Sequence, residues 1–211
     1  MRTSLFALAL ACALPAAGQA QFESDQETLN IQAVITELEN LTVTKQTDLD
    51  FGDVLYLVTD VSGTGTYGWS SLDVIHLGGG NLGCTNSTPN ANGVQIVQQS
   101  TTSGAGLTIL TDEGASITLS FTGVLDPTTD PRLTLTRSGG AETLEVGQLR
   151  YNTAFYNGSN IVNQTLRSSF EDLSIVSAGI MGVCVYGTAE LTNGLATGLY
   201  ATTFEVTATY N

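Results

Sequence analysis

Few side chains in this 211-residue chain are of a type that does chemistry, and their spacing decides how far each can go. The one histidine, His76, sits inside the apolar run Leu72-Asp73-Val74-Ile75-His76-Leu77, a strand pattern that reads as an imidazole satisfied at a sheet, not as a base. A Ser-His-Asp arrangement has no second histidine to fall back on. Asp48 with Asp50, and Glu171 with Asp172, have the residue types of a glycosidase acid and base. Twenty acids in one chain, however, produce such pairs by chance. Asp126 and Asp130, in the loop Asp126-Pro127-Thr128-Thr129-Asp130-Pro131, could offer oxygens to calcium, yet no EF-type ligand series surrounds them. The glycines from Gly78 to Gly83 lack the lysine and the strand–helix context of a phosphate loop. Tyr67 and Trp69 could stack on a sugar, although aromatics at this spacing more often belong to a core or a sheet face. The expectation is no enzyme, no catalytic residue, no cofactor and no metal site.

Sulfur is the remaining chemistry. The N-terminus has the layout of a secretory signal. Arg2 precedes an apolar run from Leu5 to Leu14, and Ala17-Gly18-Gln19-Ala20 offers a small-residue cleavage site before Gln21. The run is shorter than the roughly 20 apolar residues that cross a bilayer. Cys12 follows Ala9-Leu10-Ala11, one position off the leucine that a lipoprotein box needs, so no lipid anchor is expected. Export leaves Cys84 and Cys184. In an oxidising compartment such a pair most simply forms one disulfide, with two free thiols as the alternative. A bond between them closes a loop of about 100 residues, worth up to ~4–5 kcal/mol in the chain-entropy model.

Composition narrows the partners. Removing residues 1–20 takes one arginine and no acid, leaving five basic and twenty acidic residues and a net charge of about −15. Nucleic-acid binding needs a basic footprint, so it is excluded. The acids are scattered among abundant Thr, Ser, Gly and Asn, as on a solvated β surface. No later segment has the length and apolarity of a membrane-spanning helix.

The elements that must position these residues are strands. Leu29, Ile31, Ala33 and Ile35 alternate with Asn30, Gln32 and Val34. Further strands are expected at Val54–Val61, at Tyr67–Leu77, from Val94, at Leu107–Leu110, at Ile117–Phe121, from Leu133, at Leu144–Phe155 and at Ser177–Tyr186. Asp112-Glu113-Gly114 is read as a turn between two of them. Asn157-Gly158 is a hairpin signal. Residues 161–173 fit one short helical turn or an irregular crossover. Many short strands without a sustained helical period make an all-β, antiparallel sandwich. The boundaries are a signal peptide at 1–20, an N-terminal segment at 21–36 and a sandwich domain at 37–211.

The last stretch carries the strongest pattern. From Tyr200 every second residue suits a core, through Phe204, Val206, Ala208 and Tyr210, while Glu205, Thr207 and Thr209 suit water. A long apolar edge at such a position invites another strand. Gly198 is fourteenth from the last residue and Tyr210 is penultimate. This spacing resembles the pilins of bacterial chaperone–usher fibres. Leu49-Asp50-Phe51-Gly52, together with the segment Gly198 to Asn211, is also similar to a bacterial exported family known only as a domain of unknown function. Read without the family, Phe51-Gly52 is a corner: a buried ring beside a glycine that tolerates positive φ.

The resemblance implies an immunoglobulin-like sandwich related to pilins and spore-coat-like subunits, completed by a donor strand from a neighbour. It implies a structural subunit at the cell surface whose partners are like subunits, with a periplasmic chaperone and an outer-membrane usher in transit. The assembly edge would be Gly198, Phe204, Val206, Ala208 and Tyr210, and the candidate donor strand Leu29, Ile31, Ala33 and Ile35. If Leu29 to Ile35 is instead the domain's own first strand, no good donor remains. A self-complete secreted sandwich that binds a glycan or surface ligand through Tyr67 and Trp69 is the alternative from another class.

Overall fold

The computed structural model describes residues 21–23, 29–34 and 41–211, the first two stretches by their backbone path and pairing. The described residues are strands joined by turns, with no helix. In chain order they are β1 (Gln21–Glu23), β2 (Leu29–Val34), β3 (Thr42–Thr47), β4 (Val54–Val58), β5 (Thr64–Gly68), β6 (Val74–Gly78), β7 (Asn81–Cys84) and β8 (Asn90–Asn92). There follow β9 (Val94–Gln99), β10 (Ala105–Thr122), β11 (Leu133–Arg137), β12 (Thr143–Tyr156), β13 (Ile161–Arg167), β14 (Leu173–Thr192), β15 (Tyr200–Ala201) and β16 (Phe204–Tyr210).

Two long strands set the architecture. Residues Ile117–Thr122 of β10 pair with β16 on one side, and Ile117–Leu119 pair with the start of β14 on the other, forming a first layer. The N-terminal part of β10 pairs with β3 and with residues 180–185 of β14, which also pairs with β12, forming a second layer. β11 and β13 flank β12, and β5 pairs with the end of β14. Because β10 and β14 run through both layers, hydrogen bonding links them into one 12-stranded ladder.

The passage between layers corrects the expectation of a turn at Asp112-Glu113-Gly114. β10 continues through this point, and its register against β14 shifts on either side of Glu113. Gly114 sits at φ 83° and Gly179 across the ladder at φ 98°. A β-bulge adds a residue and bends the strand without reversing it, and glycine takes the left-handed backbone this requires. Two further expectations change. Residues 161–167 are not a helical turn but β13, hairpinned to β12 through the Asn157-Gly158 turn. β4 stops at Val58, leaving Val61 fully exposed.

Between the layers lies the main core. Leu107, Ile109, Val183 and Val185 of the second layer face Ile117, Leu119, Val206 and Ala208 of the first, with Tyr151 and Phe170 in the same cluster. The outer face of the second layer is covered too. The β6–β7 hairpin packs Val74 and Leu82 over Cys184 and Tyr186, and the β4–β9 ribbon packs around Tyr67, Val94 and Leu191. Residues 181–187 of β14 are therefore buried on both faces, which is why that stretch lacks polar alternation.

Cys84 and Cys184 form the disulfide, with Cα atoms 5.4 Å apart, and it ties the hairpin to the central strand. Among the described residues every ladder is antiparallel except one. β2 runs parallel to β16.

Candidate functional site

The C-terminal strand β16 is built by its alternation. Phe204, Val206 and Ala208 are buried in the main core, while Glu205, Thr207 and Thr209 are half-exposed. β10 occupies one edge of the strand, from Thr122 opposite Glu205 to Ile117 opposite Tyr210. The last residue is pinned to β10. The Thr118 hydroxyl donates to Asn211 Oδ1 at 2.6 Å, and Asn211 Nδ2 meets Ser116 Oγ at 2.9 Å. Tyr210 packs against the main core, and its hydroxyl lies 3.5 Å from the Asp112 backbone N–H.

The opposite edge of β16 carries β2. In their parallel register Leu29 stands opposite Phe204, Ile31 opposite Val206 and Ala33 opposite Ala208. Three of the four residues read from the sequence as a donor strand thus meet three of the residues read as the accepting edge, within one chain. Ile35 lies outside the described residues. β1 folds back antiparallel on β2, with Gln21 opposite Val34.

Gly198 falls outside this edge. It lies before β15, at φ 151°, where an added Cβ would stand 3.0 Å from two carbons of the Arg137 side chain. Arg137 donates to Glu142 Oε2 at 2.8 Å, so the glycine lets the chain pass close over an ion pair. β15 then pairs with β11, and Thr202 and Thr203 carry the chain from the second layer to the first.

That crossing opens a cleft of about 630 Å³. Half-buried Leu135 and Leu144, with the more deeply buried Leu133, Val146 and Leu191 behind them, line its apolar side. One wall is the segment 195–202 with Phe204, and the other is the corner 48–54. The two motifs that carry the family resemblance, Leu49–Gly52 and Gly198 onward, therefore face one another across a single space. From the sequence the two lie towards opposite ends of the chain, and the first reads as a structural corner.

That corner has the positive-φ glycine expected of it, while the Phe51 ring is half-buried rather than buried. Asp50 Oδ1 accepts from the Gly52 N–H at 2.8 Å, Gly52 sits at φ 72°, and an added Cβ would come within 2.7 Å of the Thr101 carbonyl. The Phe51 ring lies 5.5 Å from Trp69 and packs against all three apolar clusters. The rim carries Asp48, Asp50 and Asp53, and no Lys or Arg lines the cleft. Asp48 pairs with Lys45 at 3.1 Å, whereas Asp50 and Asp53 are exposed. Burial raises the Tyr56 phenol, helped by Tyr200, and burial alone raises that of Tyr67. Tyr56 donates to the Thr192 carbonyl and Tyr67 to Gln99.

The remaining candidates fall into structural places. Tyr67 and Trp69 are buried, and the indole N–H donates to the Ser87 carbonyl at 2.9 Å, so neither presents a face to a sugar. Exposed His76 stacks on Tyr156 with ring centroids 4.2 Å apart. Asp126 and Asp130 face the Arg132 guanidinium at 2.6 and 3.8 Å, which holds the arginine proton more tightly, first through the Asp126 hydrogen bond. Glu171 accepts from Ser169. Compared with known proteins, the chain matches no family model, no curated protein and no solved structure.

Proposed function

We propose that this protein is an exported structural subunit of a bacterial surface fibre that polymerises by β-strand addition at its C-terminal edge. One observation carries the reading: the register that sets Leu29, Ile31 and Ala33 against Phe204, Val206 and Ala208. Strand addition gains main-chain hydrogen bonds along the whole edge and seats alternate side chains, so it gives both affinity and register. Supplied by a neighbour, the same pairing is heterologous and does not close, and such contacts grow filaments. Within one chain it caps the edge and keeps a subunit from aggregating before assembly. The disulfide suits an oxidising compartment. The resemblance to pilins adds a periplasmic chaperone and an outer-membrane usher as partners in transit.

The same capping supports a second reading, a self-complete secreted sandwich that binds a surface ligand. Cell-surface material, run on a gel with and without boiling, separates the two. A fibre subunit gives an unboiled ladder that collapses on boiling to one band near the mature mass. A chain lacking residues 21–34 gives no ladder alone and shortens that of the full chain, because it accepts a strand but donates none. Tyr210→Ser blocks the ladder while export continues. A single monomer band in both lanes, from a preparation in which known fibres survive, overturns the fibre reading.

A further inference from the structure

The β4–β9 ribbon combines open sheet edges with an absence of charge. Among the described residues β4 pairs with β9 and with no other strand. β4 reads Val54-Leu55-Tyr56-Leu57-Val58 and β9 reads Val94-Gln95-Ile96-Val97-Gln98-Gln99, with no Asp, Glu, Lys or Arg in either. Leu55, Leu57 and Val97 stand on the outer face, 57%, 57% and 61% exposed. Val54, Tyr56, Val58 and Ile96 pack inward around Tyr67.

The ladder decides which main-chain groups are left over. The Ser100 N–H donates to the Asp53 carbonyl and the Thr59 N–H to the Gly93 carbonyl, so the odd-numbered residues of β4 are those bonded to β9. The N–H and C=O groups of Val54, Tyr56 and Val58 therefore point to the other edge, where they meet no partner among the described residues. The Tyr56 side chain is drawn inward, its hydroxyl donating to the Thr192 carbonyl at 2.9 Å, which leaves its main chain at the edge. Open edges are usually blunted by lysine, proline or an inward charge. β4 carries none of these, and its nearest charges are exposed Asp53 and Asp60, one beyond each end.

Sequence then selects the occupant. Val-Leu-Tyr-Leu-Val is a palindrome about Tyr56. Two copies of β4 laid antiparallel about a two-fold axis at Tyr56 set Val54 of one against Val58 of the other, Leu55 against Leu57 and Tyr56 against Tyr56. In that register Val54, Tyr56 and Val58 form the hydrogen-bonded pairs and use the groups left over at the edge. Leu55 and Leu57 fall at the closer, non-bonded pairs and join the two outer faces into one apolar stripe. Charge points the same way. A copy of a chain with twenty acids and six bases approaches most easily where neither strand is charged, whereas a basic partner gains nothing from a neutral edge.

We infer that β4 is a self-association edge that joins two copies of this chain into one four-stranded sheet, in the order β9–β4–β4–β9. An isologous contact of this kind closes on itself and stops at the dimer. Repulsion between the acids at its ends confines it to the apolar run, so the contact is small, weak and strengthened by salt. The inference does not rest on the fibre reading, which uses the β16 edge.

The test is sedimentation of the exported chain, disulfide intact, over a concentration series. A monomer–dimer equilibrium that moves toward dimer as salt rises is expected. Leu57→Lys, at an exposed position, should weaken the dimer about tenfold with the far-ultraviolet spectrum unchanged, although the added cation reduces net repulsion. Register has its own readout. Under mild oxidation a mixture of Leu55→Cys and Leu57→Cys chains should cross-link far faster than either variant alone, because position 55 opposes 57 across the axis and neither opposes itself. Leu57→Lys should lose the dimer and keep the unboiled ladder, and Tyr210→Ser should do the reverse, so the two readings fail separately. A monomer at the highest soluble concentration, a dimer unchanged in Leu57→Lys, or equally fast cross-linking within one variant overturns the inference. So does growth beyond the dimer in Tyr210→Ser, since a two-fold contact closes.

Discussion

Tyr151 shows how one residue links the core to solution conditions. Its ring packs against Phe121 and Phe170, with centroids 4.8 and 5.0 Å away, and the residue is 1% exposed. Burial pushes the phenol up to about 12, while Arg167 pulls the other way. A phenol with a raised pKa in the fold holds its proton where the unfolded chain has lost it. Its contribution is complete below pH ~10 and disappears as pH rises from ~10 to ~12. Melting temperature should therefore fall between pH 9 and pH 11.5, and more gently in Tyr151→Phe. The slope should not vanish, since Tyr56, Tyr67 and Tyr186 are also raised by burial. Identical slopes for the two proteins would show that Tyr151 titrates alike folded and unfolded.

At the scale of elements, the contact between the β6–β7 hairpin and β14 is the tightest test of the three-tier packing. Gly182 leaves room for the hairpin, since an added Cβ would stand 2.4 Å from Val74 Cγ1 and 2.9 Å from Leu82 Cβ. Gly182 pairs with Thr108 and Ala154 in the central ladders, so the backbone has little freedom to retreat. Thr108 adds a further tie, its buried hydroxyl donating to the Leu82 carbonyl at 3.0 Å and accepting from the Leu82 N–H at 2.8 Å. Gly182→Ala should cost ~1–3 kcal/mol by overpacking, read as a lower denaturant midpoint. Gly139→Ala, where an added Cβ meets nothing within 4 Å, should show only the cost of its positive φ. Equal losses at both positions would place the hairpin further from β14 than described.

For the whole molecule, net charge sets the sign of the salt dependence of assembly. On the fibre reading, a chain without residues 1–20 would carry a charge of about −15, so subunits would repel one another before their edges meet. Screening over roughly 8–10 Å at physiological salt weakens that repulsion. Assembly at the β16 edge should therefore accelerate as salt rises from about 10 to 150 mM, followed by light scattering of purified subunits. An assembly rate that falls with salt would mean that opposite charges, not an apolar edge, drive association.

How far the sequence reached follows from the range of the forces involved. The all-β class, the in–out alternation of β16, the glycine turn at Phe51-Gly52, the hairpin at Asn157-Gly158 and the Cys84–Cys184 pair were legible. Each depends on local periodicity, on a glycine's backbone freedom, or on a count of thiols. The bend in β10 was misread because Asp112-Glu113-Gly114 has the composition of a turn. Whether such a triplet reverses a strand or bulges it depends on what β14 pairs beside it. Tyr67 and Trp69 are buried, the placement that their spacing favoured over a sugar platform, and the hairpin and ribbon that cover them come from distant parts of the chain. The cleft had no sequence signal beyond its two motifs. By itself the sequence determined the strands and the apolar edge at the end of the chain. Tertiary structure decided what meets that edge, since Leu29 and Phe204 pair across 175 positions of sequence and pairing over that distance leaves no local signal.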